Sequence, residues 1–138
     1  MVEDPVRPLG GIQGPPSLGT TTAAGAGEMA SENAFVYSLY VIEISDERGP
    51  RINPRYPNVY VGQTALTPEA RFAQHRAGYK ASRYLWKGGK GSGQWLGLWL
   101  KRRLYGRYSP IETRAEAERL EVLLAEHLRH KGYTVFVG

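Results

Sequence analysis

Hydrophobic and polar positions follow three rhythms along this chain. Residues 35–44, FVYSLYVIEI, are dense in β-branched and aromatic side chains and predict a strand. With a period of two, Phe35, Tyr37, Leu39 and Val41 face one way and Val36, Tyr40, Ile42 and Ile44 the other. Both sets are apolar, which predicts a central strand. A polar turn with Arg48, Arg51 and Arg55 fills residues 45–57. Asn58-Val-Tyr-Val-Gly62-Gln-Thr64 then reads as a second buried strand, stopping at a glycine and paired antiparallel with the first. The connecting loop is longer than ordinary hairpin loops and reads as an insertion.

The next rhythm is helical. Thr67 as N-cap and Pro68 at the first helical position predict a helix to about Ala77, ended by Gly78. Trp95, Leu96, Leu98, Trp99 and Leu100 give a short helical apolar pattern, with a third strand expected over Arg103–Tyr108. Thr113-x-x-Glu116 is a capping box that opens a helix running to about Lys131, where Gly132 stops it. Residues 132–137, GYTVFV, read as a short closing strand. Residues 1–33 are rich in Gly, Pro, Ala, Thr and Ser and poor in large apolar side chains, so they read as a disordered tail. Met29 sits just before the first structured segment and is a candidate translation start. One domain is expected over residues 34–138.

Charge sharpens the picture. The net charge is +5, and residues 70–111 carry ten Lys or Arg with no Asp or Glu. A one-sign surface of this kind attracts polyanions by counterion release, although it also serves as a solubilising face. There are no cysteines, which excludes disulfides, thiolate chemistry and cysteine-based zinc sites. No apolar run approaches the ~20 residues of a membrane span, and the N-terminus lacks signal-peptide character. A cytoplasmic location without membrane attachment is expected.

The stretch from Tyr79 to Gln94 interleaves bases with aromatics: Lys80, Arg83, Lys87 and Lys90 with Tyr84 and Trp86. That combination offers charge for phosphates and flat faces for bases, so these four basic residues are the expected nucleic-acid contacts. Its glycine run lacks the spacing and the Lys-Ser/Thr pair of a nucleotide-binding P-loop, which excludes a nucleoside triphosphatase. On the last helix, Ala117, Leu120, Leu124 and Leu128 form an apolar stripe, and Glu121 falls inside it. Glu118 and Glu126 point to the flank or far side. A carboxylate on a core-facing stripe needs a cationic partner or a metal. Arg71 and His75, four apart, share one helix face. Arg71 suits the charge that develops on a phosphate during hydrolysis. A hard divalent cation held by one or two carboxylates is the usual companion. Read singly, the tyrosines are also ordinary sheet aromatics, and Arg71 and His75 an ordinary solvated face.

Together, and in this order, these residues resemble the GIY-YIG endonuclease superfamily over about residues 35–135. Val36-Tyr37 resembles the end of its first motif, with Phe35 in place of the glycine, and Tyr60-Val61-Gly62 its second. Arg71 resembles the family arginine, His75 the His or Tyr one turn later, and Glu121 the metal-binding glutamate. Thr134 stands where many members have an asparagine. The resemblance implies an α/β (α+β) fold with a three-stranded antiparallel sheet flanked by helices. It implies a DNA endonuclease, with RNA as a second candidate substrate, using one Mg²⁺ or Mn²⁺ on Glu121. It makes Tyr37 the general base, has Tyr60 orient water or phosphate, and sets Arg71 and His75 on the scissile phosphate. The alternative reading is a basic nucleic-acid-binding module on the same scaffold without turnover; a third is a small basic interaction protein.

Overall fold

The computed structural model describes residues 36–108 and 110–138. The expected tail over 1–33, the candidate start at Met29 and the substituted motif position Phe35 lie outside them. The first strand, β1 (Ser38–Ile44), is apolar on both faces because it is central: β2 (Asn58–Thr64) pairs with it on one side. Thr67 caps α1 (Pro68–Ala77), its hydroxyl accepting from the Ala70 amide at 3.1 Å, and Gly78 ends it in the left-handed region at φ 83°. A two-stranded hairpin follows, β3 (Trp86–Lys87) with β4 (Gln94–Trp95). Then come β5 (Gly97–Leu100), the single turn α2 (Arg102–Tyr105), the long α3 (Arg114–Lys131) and β6 (Thr134–Val137).

The order β5-β1-β2-β6 makes a four-stranded mixed sheet. β5, β1 and β2 are antiparallel neighbours, while β6 runs parallel to β2 with Val61 opposite Val137. This corrects the expected three-stranded antiparallel sheet. The physical reason lies in α3. Its 18 residues span about 27 Å, enough to carry the chain back along the sheet so that the closing strand enters in the direction of β2.

Trp95–Leu100 is extended rather than helical, and residues 103–108 are helical rather than a strand. The apolar run was too short for its period to discriminate, and pairing with β1 decided the matter. Leu98 and Trp99 stand exposed on the edge strand β5, while Leu96 beside it is buried. α3 keeps its predicted bounds. Thr113 accepts from the Glu116 amide at 3.1 Å, but the Glu116 carboxylate turns to Arg119 instead of closing the box. Ala117, Leu124, Ala125 and Leu128 are buried, and Leu120 packs at the core margin. Each buried leucine contributes about 1.5–3 kcal/mol. The core comprises both faces of β1 and β2, this helix stripe, and Leu85, Trp86 and Leu96 from the segment between α1 and β5.

The long loop between β1 and β2 is ordered by specific bonds. Arg48 donates to the carbonyls of Arg83 and Trp86, Arg51 pairs with Asp46, and Tyr56 stacks on Tyr133 at 4.9 Å. No described helix is long and apolar enough to cross a membrane.

Candidate functional site

A polar recess of about 340 Å³ opens beyond the end of β6, where β2 continues past its partner. Tyr40, Tyr60, Gly62, Gln63, Arg71 and Glu121 line it, with Arg114 and Glu118 of α3. Strand register explains the tyrosines. Tyr40 lies opposite Gly62, and Tyr60 opposite Ile42, so Tyr40, Tyr60 and Gly62 share one face. Gly62 is needed there. A Cβ on it would come within 2.5 Å of Tyr40 Cζ and Oη, so the missing side chain is the space the tyrosine ring occupies.

Tyr37, by contrast, is not among the residues that line the recess. It has the opposite parity from Tyr40, it bridges Ile111 through paired backbone hydrogen bonds of 2.7 and 2.9 Å, and its side chain packs at the core margin away from the recess lining. The sequence offered two tyrosines three residues apart, and the long loop hid the register that selects between them. The available signal was Gly62: a strand glycine marks the close approach of something large, and only one parity supplies it.

His75 is also displaced from its expected role. It is 0% exposed and is not among the residues that line the recess. It stands behind the tyrosines instead. Its Nε2 lies 2.8 Å from the Tyr40 hydroxyl, and its ring centroid lies 5.8 Å from Tyr40 and 5.5 Å from Tyr60. Its Nδ1 accepts from the Ser82 amide at 3.1 Å, and its carbonyl accepts from the Trp86 indole at 2.9 Å. Burial, with the Arg71 charge adding, pushes its pKa down to about 3, so the imidazole is neutral.

Arg71 lines the recess as expected. Its guanidinium donates to Gln74 Oε1 at 3.0 Å and to the carbonyls of Tyr79 and Lys80 at 3.3 and 2.7 Å. These bonds hold the fork in place and leave its charge uncompensated, since no carboxylate pairs with it among the described residues. The turn that holds it is unusual: Lys80 sits at φ 45°, a left-handed conformation that non-glycine residues seldom adopt.

Glu121 is half-buried and lines the recess from α3. No cation pairs with it among the described residues. Burial raises its pKa, and the neighbouring Glu118 adds to the rise. Glu118, expected on the flank, lines the recess too, and its carboxylate accepts from Arg114 at 3.1 Å. The i,i+3 spacing brought Glu118 and Glu121 onto one face; sequence alone did not say that this face meets a cavity. Among the described residues no group of three His, Asp or Glu gathers. A hard divalent cation accepts one or two carboxylates and keeps water in its other positions, so Glu121 with Glu118 beside it fits such an ion.

Burial also raises the pKa of both tyrosines. For Tyr40 the Tyr60 hydroxyl adds to this and Arg71 opposes it; for Tyr60 the Ser82 hydroxyl and Arg71 oppose it. Both phenols therefore hold their protons at neutral pH.

The four expected nucleic-acid contacts, Lys80, Arg83, Lys87 and Lys90, are all exposed. Arg83 lies over the Tyr84 ring at 5.1 Å and Lys80 over Tyr79 at 5.6 Å. The stretch carrying them is anchored rather than loose: Ala81, Leu85 and Trp86 are buried, and Trp86 and Trp95 meet edge-to-face at 5.4 Å. Thr134 is far from the recess. It faces Asn58 at the opposite end of β2 from Gly62, about 13 Å away, and its hydroxyl accepts from the Ile52 amide at 2.8 Å. Set against family models, curated proteins and solved structures, the chain matches none.

Proposed function

We propose that the protein is a divalent-metal-dependent endonuclease that hydrolyses phosphodiester bonds in DNA, of the GIY-YIG type. The observation that carries this reading is one recess lined by two buried tyrosines, an arginine with no counter-charge and a half-buried glutamate with no cationic partner among the described residues. Chemistry on a phosphodiester needs those parts. Water must be deprotonated and aimed, the non-bridging oxygens must meet positive charge, and the strand must be held.

In this reading Tyr40 takes the part expected of Tyr37. Tyr40 first gives its proton to solvent. A water then attacks phosphorus, forming one P–O bond as the opposite P–O bond breaks. The water's proton passes to the Tyr40 phenolate, and the leaving oxygen takes a proton from solvent. Tyr60 orients the water or phosphate, and Arg71 offsets the charge on the non-bridging oxygens. Glu121, with Glu118 beside it, would hold Mg²⁺ or Mn²⁺. Such an ion supplies Lewis acidity and helps the tyrosines lose protons that burial otherwise retains. Lys80, Arg83, Lys87 and Lys90 grip the strand through its phosphates.

The test is cleavage of plasmid and branched DNA, and of an RNA hairpin, with Mg²⁺ or Mn²⁺. Wild type should cut, while Glu121→Ala and Arg71→Ala should lose at least about a hundredfold in rate, the scale of one electrostatic group in a transition state, with unchanged far-UV spectra. If both folded variants cut like wild type, the site assignment is wrong. If wild type binds DNA with a steep salt dependence and never cuts, the chain is a binding module on this scaffold.

A further inference from the structure

We infer that His75 acts on Tyr40 as a hydrogen-bond donor, locked in its Nε2–H tautomer by the Ser82 amide, and is thereby the positioning residue that aims the Tyr40 hydroxyl into the recess. The other ring nitrogen sets the tautomer. The Ser82 N–H lies 3.1 Å from Nδ1 and has only a proton to offer, so Nδ1 must present a lone pair. A neutral imidazole carries one N–H, and with Nδ1 accepting, that proton sits on Nε2. Neutrality follows from the surroundings: the ring is fully buried, its neighbours are Tyr40, Tyr60, Ser82 and Arg71, and none is anionic.

Nε2–H then faces the Tyr40 oxygen at 2.8 Å, so Tyr40 accepts from the histidine and cannot donate to it. Its own O–H must turn away from His75, toward the recess that Glu121 and Arg71 line. His75 therefore takes no proton from Tyr40. It fixes the oxygen in place and stabilises the phenolate by a hydrogen bond to it. The arrangement is rigid because the histidine is held at three points: Nδ1 by Ser82, its carbonyl by the Trp86 indole, and Nε2 by Tyr40. The Ser82 amide belongs to the turn whose preceding carbonyls hold Arg71, so one backbone segment sets both groups. The catalytic consequence rests on the nuclease reading; the direction of the hydrogen bond does not.

The deciding measurement is long-range ¹H–¹⁵N correlation on the full ¹⁵N-labelled chain at neutral pH. Loss of one imidazole pattern in His75→Gln distinguishes His75 from His127 and His130. We expect a protonated Nε2 and an unprotonated Nδ1. Ser82→Ala keeps the amide and should keep that pattern. Ser82→Pro removes the N–H as well as the hydroxyl, at a residue whose φ of −74° proline accepts, so that its difference from Ser82→Ala isolates the N–H and it alone should release the tautomer. A protonated Nδ1 in wild type, or an unchanged tautomer in folded Ser82→Pro, overturns the inference.

For the positioning role, His75→Gln retains an amide donor and should cut within about threefold of wild type, whereas His75→Leu should lose roughly tenfold or more in kcat, the worth of one hydrogen bond, with KM unchanged. Equal rates for the two folded variants would overturn that role. If wild type cuts nothing, the nuclease reading fails while the tautomer result still stands or falls on the spectra.

Discussion

Gly62→Ala tests the geometry of the recess without invoking any activity. The added methyl would lie 2.5 Å from both Cζ and Oη of Tyr40 and 3.0 Å from Cε1. The ring has little room to yield, because its hydroxyl is held by His75 at 2.8 Å and Tyr60 stands 6.2 Å away, centroid to centroid. Overpacking of this kind costs about 1–3 kcal/mol. Exchanging a strand glycine for alanine returns roughly 0.5–1 kcal/mol through the unfolded chain. The single variant is therefore a net of two opposed effects, and the informative quantity is the coupling with Tyr40→Leu, which removes the colliding atoms. In the Tyr40→Leu background Gly62→Ala should be neutral or stabilising. Urea unfolding of the four proteins should give a coupling of about 1–3 kcal/mol. A coupling below about 0.5 kcal/mol would refute the claim that Gly62 exists to admit the Tyr40 ring.

Two further outcomes follow from the same contacts. His75 has its folded pKa depressed to about 3, so the unfolded chain binds the extra proton first. The stability it contributes is complete above the unfolded value near 6.5 and is lost as pH falls toward the folded value, roughly 3 kcal/mol between pH 6.5 and 4; His75→Gln should flatten that part of the stability–pH curve, and an unaltered curve would sink this account. Thr134→Val removes the acceptor of the Ile52 amide and should cost about 0.5–1.5 kcal/mol in urea unfolding. It should leave DNA affinity and cleavage unchanged, and an impaired but well-folded variant would return Thr134 to the site.

Sequence alone determined the elements whose signals are local. Thr67, Pro68 and Gly78 bounded α1, Thr113 and Gly132 bounded α3, and the doubly apolar β1 announced a central strand, because caps, left-handed stops and side-chain period act within one or two turns. It also set Arg71 on the helix after β2 and singled out Glu121 as a carboxylate on an apolar stripe. Only the tertiary structure decided which tyrosine faces the recess, since Tyr37 and Tyr40 differ only in parity and a long loop leaves the β1–β2 register open. It decided that His75 is a buried neighbour of Tyr40 rather than a phosphate contact, and that Glu118 shares the recess with Glu121, because burial depends on what covers a face. It made Trp95–Leu100 extended, because strand pairing outweighs the weak preference of a short apolar run, and it turned β6 parallel, because α3 carries the chain back along the sheet before the last strand enters.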